Sequence, residues 1–111
     1  MRDDPGRLQD ILDSIQRIEE RIGGGRQRFD GDEMLQVWVV HHLQIIGEAA
    51  RSIGQVLRAA HPEIPWSSVI AMRNLLVHEY FGVDIEEVWS TAVNDLPILR
   101  PIVEAMLAEL S

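Results

Sequence analysis

The sequence predicts an all-α chain, an antiparallel bundle of four to five helices, and three observations carry that prediction. Apolar residues recur at three- and four-residue steps over long stretches, strict alternation is nearly absent, and Gly, Pro and Asp fall where such stretches should begin and end. A length of 111 residues fits one domain, 1–111, with a single small core.

The first helix is expected from Asp4-Pro5, an N-cap followed by Pro at the first helical position, because Leu8, Ile11, Leu12, Ile15, Ile18 and Ile22 then trace one apolar stripe. Gly23-Gly24-Gly25 stops it, and residues 23–31 read as a flexible loop carrying Arg26 and Arg28. Asp30 or Asp32 can cap a long second helix from about Glu33 to Ala60, closed by "HPEIP", since Pro62 and Pro65 disfavour helical neighbours before them. Within it Gly47, Ala50 and Gly54 form a strip of small residues where another backbone can approach, either from the same core or from a second subunit. A third helix should start near Trp66 or Ser67 and run to about Tyr80, ended by Gly82. Asp84-Ile85-Glu86-Glu87 has capping-box spacing and opens a short fourth helix to about Val93, with Glu86 and Glu87 as first-turn charges. "NDLP" should then break the chain before a last helix to Leu110, with Pro101 near its start.

Composition narrows the function. The 10 basic residues, all Arg, face 18 acidic ones for a net charge of −8, which argues against a general attraction to nucleic acid. The imbalance is uneven: 8 Arg against 10 acids up to residue 60 gives −2, and 2 against 8 beyond it gives −6. There is no Cys, hence no disulfide, thiolate nucleophile or Cys-based zinc site. The first ten residues lack an apolar signal core, and no apolar run approaches the roughly 20 residues that span a bilayer, so a cytoplasmic protein without membrane contact is expected.

The stretch "RNLLVHEYF", residues 73–81, sets Arg73, Asn74, His78 and Tyr80 into an otherwise apolar helix. On a helical wheel with Arg73 at zero, Asn74 lies at about 100°, His78 at about 140° and Tyr80 at about 340°, while Val69, Met72, Leu75 and Leu76 fill the sector from about 200° to 320°. Arg73, Asn74 and His78 thus lie on the face opposite that stripe. Asn74 and His78, one turn apart, can touch; Arg73 and His78 converge less easily within one helix, so a second copy of the helix would complete a site that uses both. Imidazole titrates near neutrality and can move a proton, and a guanidinium matches phosphate oxygens and the charge that grows on them in a transition state. Asn74 can orient the His or a 2′-hydroxyl, and Tyr80 can donate a hydrogen bond to phosphate. That set suits metal-independent RNA cleavage by attack of the internal 2′-hydroxyl. A purely structural account of the same residues also stands, with His78 stabilised near a helix C-terminus and Arg73 paired with a surface carboxylate.

Other candidates are weaker. His41 and His42 are adjacent and lack a ligand at zinc spacing, "HEYFG" lacks the second His of H-E-x-x-H, and the glycine run has no Lys-Ser/Thr after it; no metal and no cofactor is expected. His61 reads as a solvated residue in a Pro-flanked turn, and Trp38, Trp66 and Trp89 as packing residues.

The stretch "RNLLVHEY" resembles the R-x4-H-x-Y motif, with Asn after the Arg, of the HEPN-domain ribonucleases, and is most similar to the HepT toxins. "LQIIGEAAR", "PEIPWSSVIAMRN", "YFGVDIEEVW" and "NDLPILRPIV" resemble HepT-like sequences in the same order, so the likeness covers most of residues 7–110. It implies a homodimeric, HEPN-like helical fold with two motifs facing across a cleft. It further implies that Arg73 and His78 form the catalytic pair, with Asn74 the accompanying polar residue. The implied partner is an MntA-like nucleotidyltransferase antitoxin that neutralises the toxin by transferring AMP onto Tyr80, adding charge and bulk where RNA enters. The alternative is a non-catalytic helical module that serves such a nucleotidyltransferase.

Overall fold

A computed structural model describes residues 3–77 and 84–110, and the side chains of these apart from 74–77. The described residues form helices and no strand, in agreement with the all-α prediction. Helix α1 (Asp4–Arg21) is capped by Asp3, whose carboxylate accepts from the Gly6 amide at 2.9 Å. Asp4, predicted as the cap, instead sits inside the first turn and accepts from the amide of Gly54 at 3.1 Å. The predicted stripe is real: Leu8, Ile11, Ile15 and Ile18 are almost wholly buried. A helix of this length is marginal by itself in water, and burying each such side chain contributes about 1.5–3 kcal/mol, so packing rather than propensity holds α1 in place.

The expected loop at 23–31 contains a further helix, α2 (Gly25–Asp30). Phe29 explains it, being fully buried with its ring centroid 5.1 Å from that of Trp89. One anchoring aromatic can order six residues that have no periodic pattern of their own. Arg26 pairs with Asp30 at 2.7 Å and with Glu86, tying α2 to a distant segment.

Helix α3 (Glu33–Ser52) is capped by Asp32, which accepts from the Leu35 amide at 3.0 Å. It is the centre of the fold and packs against α1, α2 and the later helix carrying Arg73. The predicted continuation to Ala60 is interrupted: Ile53 and Gly54 are extended, and α4 (Gln55–Ala60) starts anew. Ile53 turns inward and is buried, while Asp4 takes the Gly54 amide and Arg7 donates to the Ser52 carbonyl. The interruption is thus satisfied by groups about 50 residues away, which local reading had no means to see. Gly54 consequently leaves the small-residue strip; Gly47 and Ala50 remain on the buried side of α3.

Helix α5 (Trp66–Val77) begins where predicted, after Pro65, with the Trp66 indole donating to the His61 carbonyl at 2.9 Å. After Asp84, which caps the next helix through the amides of Glu86 and Glu87, α6 (Ile85–Ser90) leads without a break into α7 (Leu96–Glu109). The predicted interruption at "NDLP" is a π-type turn, Thr91–Asp95, where the Leu96 amide reaches the Thr91 carbonyl five residues back. A turn one residue wider relieves the crowding that the Pro97 ring would impose on the carbonyl four residues before it. Pro101 lies inside α7, and both prolines face solvent, where water can serve the carbonyls they leave unpaired. Leu96, Leu99, Val103 and Met106 close the core over α1. No helix among the described residues is long and apolar enough to cross a membrane.

Candidate active site

The best-placed part of the predicted constellation lies where α3 crosses α5. A Cβ at Gly47 would stand 2.7 Å from the Arg73 amide nitrogen, closer than real Cβ atoms come, and 3.0 Å from its Cβ and 3.2 Å from its Cα, tighter than most real contacts. Only glycine admits α5 this near to α3. Val69 and Met72 of α5 are buried beside it, so hydrophobic packing and close approach together fix the backbone of Arg73. The position differs from the wheel prediction. Arg73 sits at the edge of the helix–helix seam, its backbone against α3, and not on a face turned away from the apolar stripe. The wheel placed it by the neighbours on α5 alone and had no knowledge of a glycine on the facing helix.

The Arg73 side chain is half-buried and its Nε lies 2.7 Å from Oε2 of Glu48, the residue after Gly47. The other oxygen of Glu48, Oε1, is 3.2 Å from Nη1 of Arg51, which lies three residues on along α3. Two guanidinium groups therefore share one carboxylate, and two positive charges against one negative leave the trio at +1 in a chain of −8. Beside Glu48 an open depression of about 360 Å³, lined by Arg7, Asp10, Ile45, Glu48, Ala49 and Ser52, extends towards α1. The arrangement can hold an anion locally: the Arg73 guanidinium has further N–H groups beyond the edge taken by Glu48, and a planar fork suits phosphate.

Of the other predicted residues, Asn74 follows Arg73 within α5, about 100° further round the helix. His78 and Tyr80 lie outside the described residues. Glu48 and Gly47 were missed as site residues. Glu48 is not singled out in the sequence, and Gly47 reads only as one member of a small-residue strip. The signal available was their adjacency within "IGEAAR", a glycine for close approach next to an acid able to meet whatever approaches.

The remaining histidines have other surroundings. His42 is buried, its Nδ1 3.2 Å from the Ser14 hydroxyl and its ring edge-on to Trp38 at 4.5 Å. Burial first, then the nearby charges of His41 and Arg17, push its imidazole below the ordinary histidine range. His61 is not solvated as predicted: its side chain is 14% exposed and is gripped by Glu63 at 2.9 Å and Glu109 at 3.5 Å. The hydrogen bond from His61 holds the Glu63 carboxyl below its usual range. Trp38 and Trp89 pack as predicted, and the guanidinium of Arg21 covers the Trp38 ring at 4.8 Å. Among the described residues no group of three or more His, Asp and Glu is placed to hold a metal ion.

Comparison with known proteins adds to this geometry. Residues 11–106 match the family model described as "Ribonuclease HepT-like". The chain is 40% identical to "Probable ribonuclease HepT" of Thermococcus cleftensis over 84% of this chain and 86% of that protein. It is 35% identical to proteins named "Putative RNase" in Caldanaerobacter subterraneus subsp. tengcongensis, over 90% of each chain, and in Methanocaldococcus jannaschii, over 93% of this chain and 95% of the other. No solved structure matches the chain.

Proposed function

The chain belongs to the HepT-like ribonuclease family, and from that premise we propose that it is a metal-independent endoribonuclease, the toxin of a toxin–antitoxin pair. Arg73 binds the non-bridging oxygens of the scissile phosphate. His78 takes the proton of the adjacent 2′-hydroxyl, the 2′-oxygen attacks phosphorus as the P–O5′ bond breaks, and the imidazolium so formed returns the proton to the departing 5′-oxygen, giving a 2′,3′-cyclic phosphate and a 5′-hydroxyl end. Asn74 orients the imidazole or the ribose. Two subunits face their motifs across a shared groove, and an MntA-like nucleotidyltransferase silences the enzyme by forming a bond between the Tyr80 hydroxyl and the α-phosphate of ATP, with release of pyrophosphate. The charge and bulk added there exclude RNA.

The observation that carries this reading is the local surplus of positive charge at Arg73, fixed by the α3–α5 crossing and shared with Arg51 around one carboxylate. Among the described residues it supports a confined phosphate site on an acidic protein. The test is incubation of the purified chain with RNA in chelator, beside Arg73→Ala, His78→Ala and Tyr80→Phe. Cleavage by the wild type, lost in the first two, supports the proposal, and the third shows whether the Tyr80 hydroxyl also serves the phosphate. Intact RNA with the wild type, unmodified at Tyr80 by mass spectrometry, refutes it. Co-expression with the nucleotidyltransferase should add one AMP to the wild type and none to Tyr80→Phe.

A further inference from the structure

We propose that Glu48 is a positioning residue for the reaction, its carboxylate holding the Nε edge of the Arg73 guanidinium so that the paired Nη groups are left for the phosphate. The inference rests on the ribonuclease reading above and extends it to a residue outside the R-x4-H-x-Y motif.

Three observations converge on Glu48. The Arg73 backbone is pinned by the close approach of Gly47, so the guanidinium begins from a fixed root. Glu48, next in sequence to Gly47, then stands with Oε2 2.7 Å from the Nε of that guanidinium, an ion-pair contact that restrains the charged plane on that side. Arg51 holds the second oxygen of the same carboxylate at 3.2 Å, so Glu48 is itself steadied from behind. The three side chains are 35%, 50% and 53% exposed for Arg73, Glu48 and Arg51. Ion pairs that open to solvent contribute little to stability, so what this pair confers is direction. An arginine has two ways to meet a phosphate with parallel N–H bonds, side-on through Nε and Nη or end-on through both Nη groups. With the Glu48 carboxylate standing against Nε, the side-on approach is obstructed and the end-on approach is the one left open. Arg51 compensates the charge that Glu48 introduces, so the phosphate does not meet a net negative neighbour.

The experiment compares single-turnover RNA cleavage by the full-length wild type, Glu48→Ala, Glu48→Asp, Arg73→Ala and the double variant Glu48→Ala/Arg73→Ala, with thermal melts on each. Loss of orientation in a well-built site costs up to about 100-fold. Glu48→Ala should therefore slow cleavage by roughly 10- to 100-fold while the half-saturating RNA concentration moves by less than about threefold. Glu48→Asp should recover part of the loss. The double variant should be no slower than Arg73→Ala alone, because Glu48 acts only through Arg73. An unchanged or faster Glu48→Ala enzyme would mean that Glu48 merely occupies Arg73, and multiplicative losses in the double variant would mean a general structural role; either overturns the proposal. A second readout does not depend on cleavage. The Arg73 Nε–H resonance in ¹⁵N-arginine-labelled protein should shift between the wild type and Glu48→Ala. A 2′-deoxy oligonucleotide, which cannot be cut, should shift the Arg73 Nη signals in the wild type more than in Glu48→Ala. A wild type that cuts no RNA yet shows this pattern would refute the ribonuclease reading and support Glu48 as the group that orients Arg73 towards phosphate. Identical spectra in wild type and variant would overturn it.

Discussion

Replacing Gly47 by Ala pits two known quantities against one another at the crossing that carries Arg73. In a helix interior Ala is favoured over Gly by about 1 kcal/mol, and that term alone predicts a more stable protein. The added Cβ, however, would lie 2.7 Å from a backbone nitrogen and 3.0 and 3.2 Å from two further Arg73 atoms. None of these belongs to the far end of a flexible side chain, so relief requires α5 to move as a body. Val69 and Met72, buried on α5, move with it, and over-packing of this kind costs about 1–3 kcal/mol. The balance is a loss of roughly 0–2 kcal/mol, which for a domain of this size lowers Tm by up to about 8 °C at about 4 °C per kcal/mol. Cleavage should suffer more than stability, because misplacing a catalytic group by about 1 Å can cost on the order of 100-fold. The assay is a thermal melt together with single-turnover cleavage at a temperature where both proteins are fully folded. A Gly47→Ala protein with raised Tm and unimpaired cleavage would refute the reasoning, since helix propensity would then have won and α5 would not be seated on α3 at Arg73.

Three further substitutions test other parts of the fold. Phe29→Ala empties the site of a fully buried ring and should cost about 3–5 kcal/mol, read as a shift of the urea midpoint and as loss of α2 from amide-exchange protection. Asp84→Ala removes the acceptor for the Glu86 and Glu87 amides and should cost about 1 kcal/mol in the same assay. For His42 the folded protein disfavours the charged ring, so the unfolded chain binds the proton more tightly; stability should be level above the ordinary histidine pKa of about 6.5 and fall as pH drops below it. His42→Gln should flatten that fall, measured as urea midpoints from pH 7.5 to 5.

What could be read from the sequence followed from how far each signal reaches along the chain. The α1 stripe, the Asp32 cap, the Pro65–Trp66 start and the Asp84 cap are local events, and each stands where its own residues place it. Several of the departures arose from packing that local patterns do not report. Helix α2 exists because Phe29 meets Trp89, sixty positions away; the α3–α4 interruption is satisfied by Asp4 and Arg7; and the π turn before Pro97 is held by burial of Thr91, Ala92 and Leu96. The site divides in the same way. Arg73 and its neighbours were legible as a motif because the residue types are close together and unusual in an apolar helix. Gly47 and Glu48 were not, because their significance lies on another helix, 26 and 25 positions earlier, and emerges only when α3 and α5 are packed.

The acidity of the chain acquires a different meaning once its arginines are located. Arg26 is bound by Asp30 and Glu86, Arg7 by Asp4 and the Ser52 carbonyl, and Arg100 by Glu19 and Glu104. In each case the carboxylates are at least as numerous as the guanidinium they hold, or the guanidinium is spent on the backbone, so these arginines serve the fold. At Arg73 and Arg51 the ratio inverts among the described residues, two cations to one carboxylate. A uniform positive surface would draw polyanions anywhere and would bring with it steep salt dependence. On the ribonuclease reading, a cationic pair at one place in an acidic chain would instead favour the register that sets a phosphate on Arg73. The negative charge that argued against nucleic-acid binding in general is thus compatible with the proposed binding at one point.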